Sequence, residues 1–428
     1  MSPSGRFGSV RFRSLLIPSL SLILTGAAAA QELLTPPVNP PLAPITLLEA
    51  QQRAMASSPT LKSADARIRA EEGRLDQAGA FPNPELALEA TRYTSGFTPR
   101  ETFLTLLQPL PWHGKRDLEK HEAAERIEAA KRDRERERLD LLLEVRESYY
   151  RIFYAGEVLK VEEEDLEATR AVQKAVNTRV DAGDAAPFES LKASVELQRA
   201  ESGLEIIRGE IAAETASFNL LLGLPTEAPT VLAAPDQNLE LEESLPELQT
   251  RALASQPEIQ SRQHAALAAG YAAERAHLEP RPDIAVGPMI GTDTGATFAG
   301  IAMALKLPLW NRNRGGVAAA AAGRDEAEAL VEVARLSVSR LVANSYGLYR
   351  AARMQQAAYE HGLLSQTAEL VDTARKSYEG GESGLLDYLD ARRTALAVRK
   401  EYYRASLDAV VAALRLRRAV GDDSEGAP

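Results

Sequence analysis

Two carboxylates three residues apart, Asp387 and Asp390, follow directly on a glycine-rich turn, Tyr378-Glu379-Gly380-Gly381-Glu382-Ser383-Gly384. Acids at i and i+3 share one helix face, so together they can present negative charge to a cation. They equally suit a first helical turn, where the macrodipole favours acids without any further role. A second turn, Val180-Asp181-Ala182-Gly183-Asp184-Ala185-Ala186, leads into Pro187, and Glu189 stands two residues on. Gly183 and Gly381 tolerate the positive φ that a tight helix–helix turn demands. Beyond these acids the chain offers little chemistry. It has no cysteine, which removes disulfides, thiolate metal sites and a cysteine nucleophile together. Its histidines, His113, His121, His264, His277 and His361, are scattered, with no metal-ligand spacing. No phosphate-cradling glycine loop follows a strand, and there is no nucleophile elbow. The sequence therefore predicts no catalytic site, no cofactor and no resident metal.

The two turns are copies of one feature. Gly183 and Gly381 are 198 positions apart, and so are Pro59 and Pro257, Pro82 and Pro280, Pro84 and Pro282, and Trp112 and Trp310. One offset held over residues 46–222 and 244–420 means a duplicated unit. In each copy a capping-box pattern, Thr46-Leu47-Leu48-Glu49 or Ser244-Leu245-Pro246-Glu247, opens a helix. The first is predicted to run to about Gly79, where Phe81-Pro82-Asn83-Pro84 stops it. A hairpin follows at 85–110. Leu86, Leu88 and Ala90 fall on one side and Glu85, Glu89, Thr91 and Tyr93 on the other, the period of a strand. A long helix is predicted at 113–180, with a seven-residue seam of Val145, Ile152, Leu159, Leu166 and Val180, then a return helix at 187–222. Residues 223–243 form a connector. The second copy predicts a hairpin at 283–309 turning at Gly291–Gly295, a long helix at 315–377, a return helix at 385–420 and a tail at 421–428.

Arg6, Arg11 and Arg13, the apolar run Leu15–Leu24 and the exit Thr-Gly-Ala-Ala-Ala-Ala describe a secretory signal over residues 1–30. A Pro-rich leader, 31–45, follows. Losing the three arginines takes the net charge from −11 to −14, which argues against a nucleic-acid partner. Four short strands cannot close a barrel alone, and an open strand edge cannot face lipid. If the hairpins enter a membrane, several chains must pool them. The same alternation also fits a soluble sandwich edge or a periplasmic hairpin.

The layout resembles the TolC-like outer-membrane efflux proteins across nearly the whole mature chain. The matching features are the duplicated plan, the strand exits Gln108-Pro109-Leu110-Pro111 and Lys306-Leu307-Pro308-Leu309, and Tyr378-x-x-Gly381 running into Leu386-Asp387-Tyr388-Leu389-Asp390-Ala391. The resemblance implies a mainly α fold with a small membrane β part. Long coiled-coil helices form an α-barrel across the periplasm, and four strands per chain contribute to a trimeric twelve-stranded β-barrel in the outer membrane. It implies a homotrimer that works with a periplasmic adaptor protein and an inner-membrane RND-type pump. It also implies that Gly183 and Gly381 mark tip turns touched by the adaptor, and that Asp387 and Asp390 ring the pore near its closed end. Tyr378 matches a gate tyrosine and Glu189 an acidic gate partner. Ser383 departs from the pattern, standing where some members carry a gate arginine. Trp112-His113-Gly114-Lys115-Arg116 looks like the heavy-metal (Czc/Cus-type) branch, which points to cation efflux ahead of multidrug efflux. A periplasmic adaptor or a coiled-coil spacer is the rival from another class. The first would need separate small β-domains, and the second leaves the four strands unexplained.

Overall fold

A computed structural model describes residues 43–92, 100–111, 114–235, 241–293 and 295–422. The predicted signal and most of the leader, Trp112, His113 and residues 423–428 of the tail lie outside them. Each half runs helix, helix, hairpin, long helix, return helix. The first half holds α1 (Leu47–Ser57), α2 (Pro59–Gly79), β1 (Glu85–Arg92), β2 (Arg100–Leu110), α3 (Lys115–Asp181) and α4 (Pro187–Leu221). The second holds α5 (Leu245–Ser255), α6 (Pro257–Leu278), β3 (Ile284–Asp293), β4 (Ala296–Leu305), α7 (Arg314–Ala358), a π-turn (Tyr359–Leu363), α8 (Leu364–Glu379) and α9 (Leu385–Val420). With 67 residues, α3 is a rod of roughly 100 Å.

Three expectations need correcting. The helix predicted as continuous to Gly79 breaks at Ser58, as its copy breaks at Gln256. Pro59 and Pro257 push the preceding residue out of helical geometry: Ser58 sits at ψ 119° and Gln256 at ψ 121°. The freed groups are used in packing. Gln256, buried, donates to the carbonyls of Arg418 (2.8 Å) and Ala419 (2.6 Å) at the end of α9. Second, the long helix predicted over 315–377 is interrupted by the π-turn, where Gly362 (φ 179°, ψ −44°) leaves helical dihedrals. Third, β3 runs through to Asp293 and β4 begins at Ala296, so the turn is shorter than Gly291–Gly295.

The duplication is visible in the core. Ala50, Ala54, Val145, Tyr149 and Phe218 pack together in the first half, and Leu248, Ala252, Val338, Val342 and Leu416 in the second. The Tyr149 hydroxyl lies 2.6 Å from the Ala233 carbonyl and 2.9 Å from that of Ile45, tying connector to leader. Burial pushes its phenol up to about 12. The halves meet along α3 and α9 through ion pairs of one polarity, acids on α3 and bases on α9. The pairs are Asp140–Arg418 (2.7 Å), Glu147–Arg415 (2.7 Å), Glu162–Lys400 (2.5 Å), Glu164–Arg399 (2.7 Å) and Asp165–Arg392 (2.7 Å). The exposed members add little stability singly.

The strands form one antiparallel sheet in the order β1-β2-β3-β4, so the hairpins of the two halves join through β2 and β3. Direct pairs such as Leu88↔Leu104, Leu104↔Ile290 and Val286↔Met303 share a face, because paired residues point the same way.

Candidate functional site

The sheet is built inside out for a water-soluble protein. One face carries Leu86, Leu88, Leu104, Leu106, Ile290, Ile301, Met303 and Leu305, all exposed, with Leu88 at 68% and Ile301 at 80%. The other face carries Glu85, Ala87, Glu89, Thr91, Phe103, Thr105, Gly291 and Gly300, alternating with the first along each strand. On that polar side Phe103 and Phe298 lie 5.6 Å apart between ring centroids. Gly291 makes room for them: a Cβ there would sit 2.8 Å from Phe298 Cζ and 2.9 Å from Phe103 Cδ1. Monomeric proteins rarely expose a contiguous apolar face of this kind. With β1 and β4 free at the edges, the sheet needs both an apolar surrounding and further strands.

The joint between sheet and helices explains Gly114-Lys115-Arg116. Lys115 Nζ lies 2.8 Å from the Arg281 carbonyl, 3.4 Å from that of Glu279 and 3.2 Å from both carboxylate oxygens of Asp283. It therefore holds the entry to β3. Arg116 holds the entry to β1, donating to the Gly79 carbonyl and lying 4.1 Å from the Phe81 ring centroid. The pair fastens both hairpins to the start of one helix. Lys115→Met is expected to cost about 1–3 kcal/mol, as for a lost charged hydrogen bond. A thermal midpoint of the purified protein equal to wild type would remove this role.

At the opposite end of the rods, both turns have the same cap. Gly183 (φ 84°) and Gly381 (φ 76°) are left-handed. Asp184 N donates to the Arg179 carbonyl (2.8 Å), and Glu382 N to that of Ser377 (2.9 Å). Each turn is a Schellman motif, and both glycines are exposed. Asp387, in the first turn of α9, and Asp390, in the next turn, are both exposed. Asp387 has a local task too, since its Oδ2 accepts from Gly384 N at 3.2 Å.

Tyr378, half-buried, stacks on Tyr388 with centroids 5.9 Å apart. Both pack against Val176, Ala193, Leu385 and Leu389. Burial pushes the Tyr378 phenol up; Arg179 opposes this and Glu189 adds to it. Glu189, partly buried in the first turn of α4, shares this end of the rods with Tyr378. Asp387 and Asp390 stand apart from them at the surface. Sequence reasoning missed Arg179 and Arg392. The only available signal was Arg392 four residues after Tyr388, on the same helix face.

Among the described residues, no three His, Asp or Glu side chains gather as a metal site, and no helix is long and apolar enough to cross a membrane. His264 Nδ1 lies 2.7 Å from Glu125, and His121 packs on Tyr271.

The profile of the family described as OEP, outer membrane efflux protein, matches residues 50–224 and again 248–422, the second stretch repeating the first at the same offset as the glycines. The chain is 28% identical over 396 residues to the cobalt-zinc-cadmium resistance protein CzcC of Cupriavidus metallidurans, spanning 88% of this chain and 90% of that one. It is 28% identical over 425 residues to protein CyaE of Bordetella pertussis, spanning 92% and 88%. It superposes on the crystal structure of CusC with a TM-score of 0.76 at 19% identity, over 88% of this chain and 92% of that one. An exposed apolar sheet face with two open edges, at one end of duplicated helical rods, is what an efflux channel subunit requires, and the chain belongs to the outer membrane efflux protein family.

Proposed function

We propose that three copies pool their sheets into a twelve-stranded barrel in the outer membrane, and that the rods enclose a passage through which heavy-metal cations leave the periplasm. The observation that carries this reading is the two-faced sheet: one face is apolar and exposed, and the opposite face carries Glu85, Glu89, Thr91 and small residues such as Ala87 and Gly300. A closed barrel uses both faces, one for lipid and one for water, and closure needs strands from other copies. A conduit has no need of a tight metal site, because tight binding slows exit.

The cargo assignment rests on the likeness to CzcC, by its name a cobalt-zinc-cadmium resistance protein, and on acidic groups facing the passage. Glu85 and Glu89 line the polar sheet face. Asp387 and Asp390, repeated in three copies, would ring the narrow end and favour cations over anions. Tyr378 and Glu189 form the gate at the same end of the rods, set back from these surface acids. The exposed turns at Gly183 and Gly381 are where a periplasmic adaptor would meet the tip, with an inner-membrane RND-type pump beneath. Deleting the gene is expected to sensitise cells to cobalt, zinc or cadmium. Sensitisation to lipophilic drugs alone would overturn the metal assignment and leave a multidrug channel of the same fold.

A further inference from the structure

The apolar face of the sheet ends in charge. The register sets Arg92 opposite Arg100 at the hairpin end of β1 and β2, one row beyond Ala90↔Thr102 and two rows beyond Leu88↔Leu104. Directly opposed positions share a face, and every second residue returns to it. This rung is therefore in phase with Leu86, Leu88, Leu104 and Leu106. Arg92 is exposed. Between the arginines and the leucines runs a row of hydroxyls, paired as Thr102↔Thr292 and Thr292↔Thr297, and all three threonines are exposed. The acids at this end fall in the other phase. Glu101 stands opposite Thr91 and Asp293 opposite Ala296, in phase with Glu89 and Gly291. Charge at the hairpin end is sorted by face, cations with the apolar side and acids with the polar one.

Depth decides what those cations meet. Arg100 and Leu110 are the two ends of β2. Ten steps of strand span about 34 Å, or about 25 Å along the axis of a barrel whose strands tilt by roughly 40°, which is the height of the apolar band of an outer-membrane barrel. Phe81 and Trp310, 64% and 92% exposed, lie just past the helix-side ends of β1 and β4, and exposed aromatic side chains so placed mark a membrane interface. With one interface there, the arginine rung falls at the other. The helical rods leave the sheet from the aromatic end and stand in the periplasm, so the rung lies at the outer leaflet. Two cations directly opposite each other destabilise a strand pair. An anion between them reverses that sign, and the guanidinium fork matches phosphate in particular.

We infer that Arg92 and Arg100, with the threonine row beneath them, form a docking site for the phosphorylated headgroup of an outer-leaflet lipid whose acyl chains lie along Leu88, Leu104 and Ile290. The occupant is a lipid and not free phosphate, because the cations stand on the rim of an apolar face. A phosphorylated lipid satisfies the charge and covers the leucines in one molecule. Each copy of the chain carries one such rung, so an assembled barrel repeats it around its outer rim. Charged residues on an edge strand such as β1 also discourage sheet-to-sheet pairing; that role needs no lipid, and the experiment separates the two. The inference rests on the barrel reading given above.

The test titrates full-length assembled protein in mild detergent with lipid A, an acylated diglucosamine bisphosphate, and reads bound lipid by native mass spectrometry. Wild type is expected to hold one lipid per chain. Arg92→Gln with Arg100→Gln should weaken binding about thirtyfold, two basic residues each contributing about fivefold near an anionic headgroup. Arg92→Lys with Arg100→Lys keeps the charge and loses the planar fork, so it should fall between. A fully dephosphorylated analogue should bind wild type no better than lipid A binds the glutamine variant, which decides the matter even if that variant assembles poorly. Equal lipid binding by wild type and the glutamine variant would overturn the site. So would displacement of the lipid by an equal concentration of inorganic pyrophosphate, which would leave a plain anion site. A glutamine variant that keeps its lipid but aggregates would assign the arginines to edge protection instead. Wild type that inserts into phosphatidylcholine vesicles yet holds no lipid A overturns this proposal alone; wild type that does not insert overturns the barrel reading with it.

Discussion

Ile301→Arg is expected to abolish insertion into the outer membrane while Ala87→Arg is tolerated. Ile301 is 80% exposed, and in a water-soluble protein a substitution at such a site moves stability by no more than about 0.5 kcal/mol. In lipid the sign and size change. An arginine at the middle of a barrel strand costs about 2–4 kcal/mol, and in a trimer the cost falls three times on one assembly. Ile301 stands opposite Pro288 in the middle of the β3–β4 pairing, as far from the strand ends as the register allows. Ala87 pairs with Thr105 on the other face, where charge meets water. Fractionation of outer membranes and heat-stable assembly on gels read the result. Normal assembly of Ile301→Arg would mean that this face does not meet lipid.

Asp387→Asn with Asp390→Asn is expected to lower the cation-over-anion permeability ratio by roughly tenfold, the scale on which rings of one charge act in narrow passages. Asparagine is the right replacement at 387, since Asp387 Oδ2 also accepts from Gly384 N. Alanine there would remove a helix cap as well as a charge, at a cost of about 1 kcal/mol. Reversal-potential measurements in a salt gradient separate the two effects, because a lost cap does not change selectivity. An unchanged ratio would remove the two acids from the passage and leave them as ordinary exposed residues near the start of α9.

Much of this protein was legible before its structure. Proline and glycine recur at one offset because each solves a local problem that both halves share: Pro82 and Pro280 stop a helix, and Gly183 and Gly381 close a turn. Leu86, Leu88 and Ala90 showed a two-faced strand because strand periodicity depends on neighbours in sequence. The break at Ser58 was also within reach, since Pro59 disfavours a helical residue before it. The interruption at Gly362 was not, because a glycine within a helical pattern is compatible with continuity.

What the sequence alone determined is the duplicated plan, the tip turns and the alternation of the strands, since these follow from backbone rules and local periodicity. Only the tertiary structure decided that the two hairpins form one sheet with an exposed apolar face. It also decided that Lys115 and Arg116 hold both hairpins, and that Arg179 and Arg392 bracket Tyr378 and Tyr388. Those arrangements join residues such as Asp165 and Arg392, 227 positions apart. No local pattern encodes the partner of a charge, and it is settled only when packed helices bring the two groups within reach.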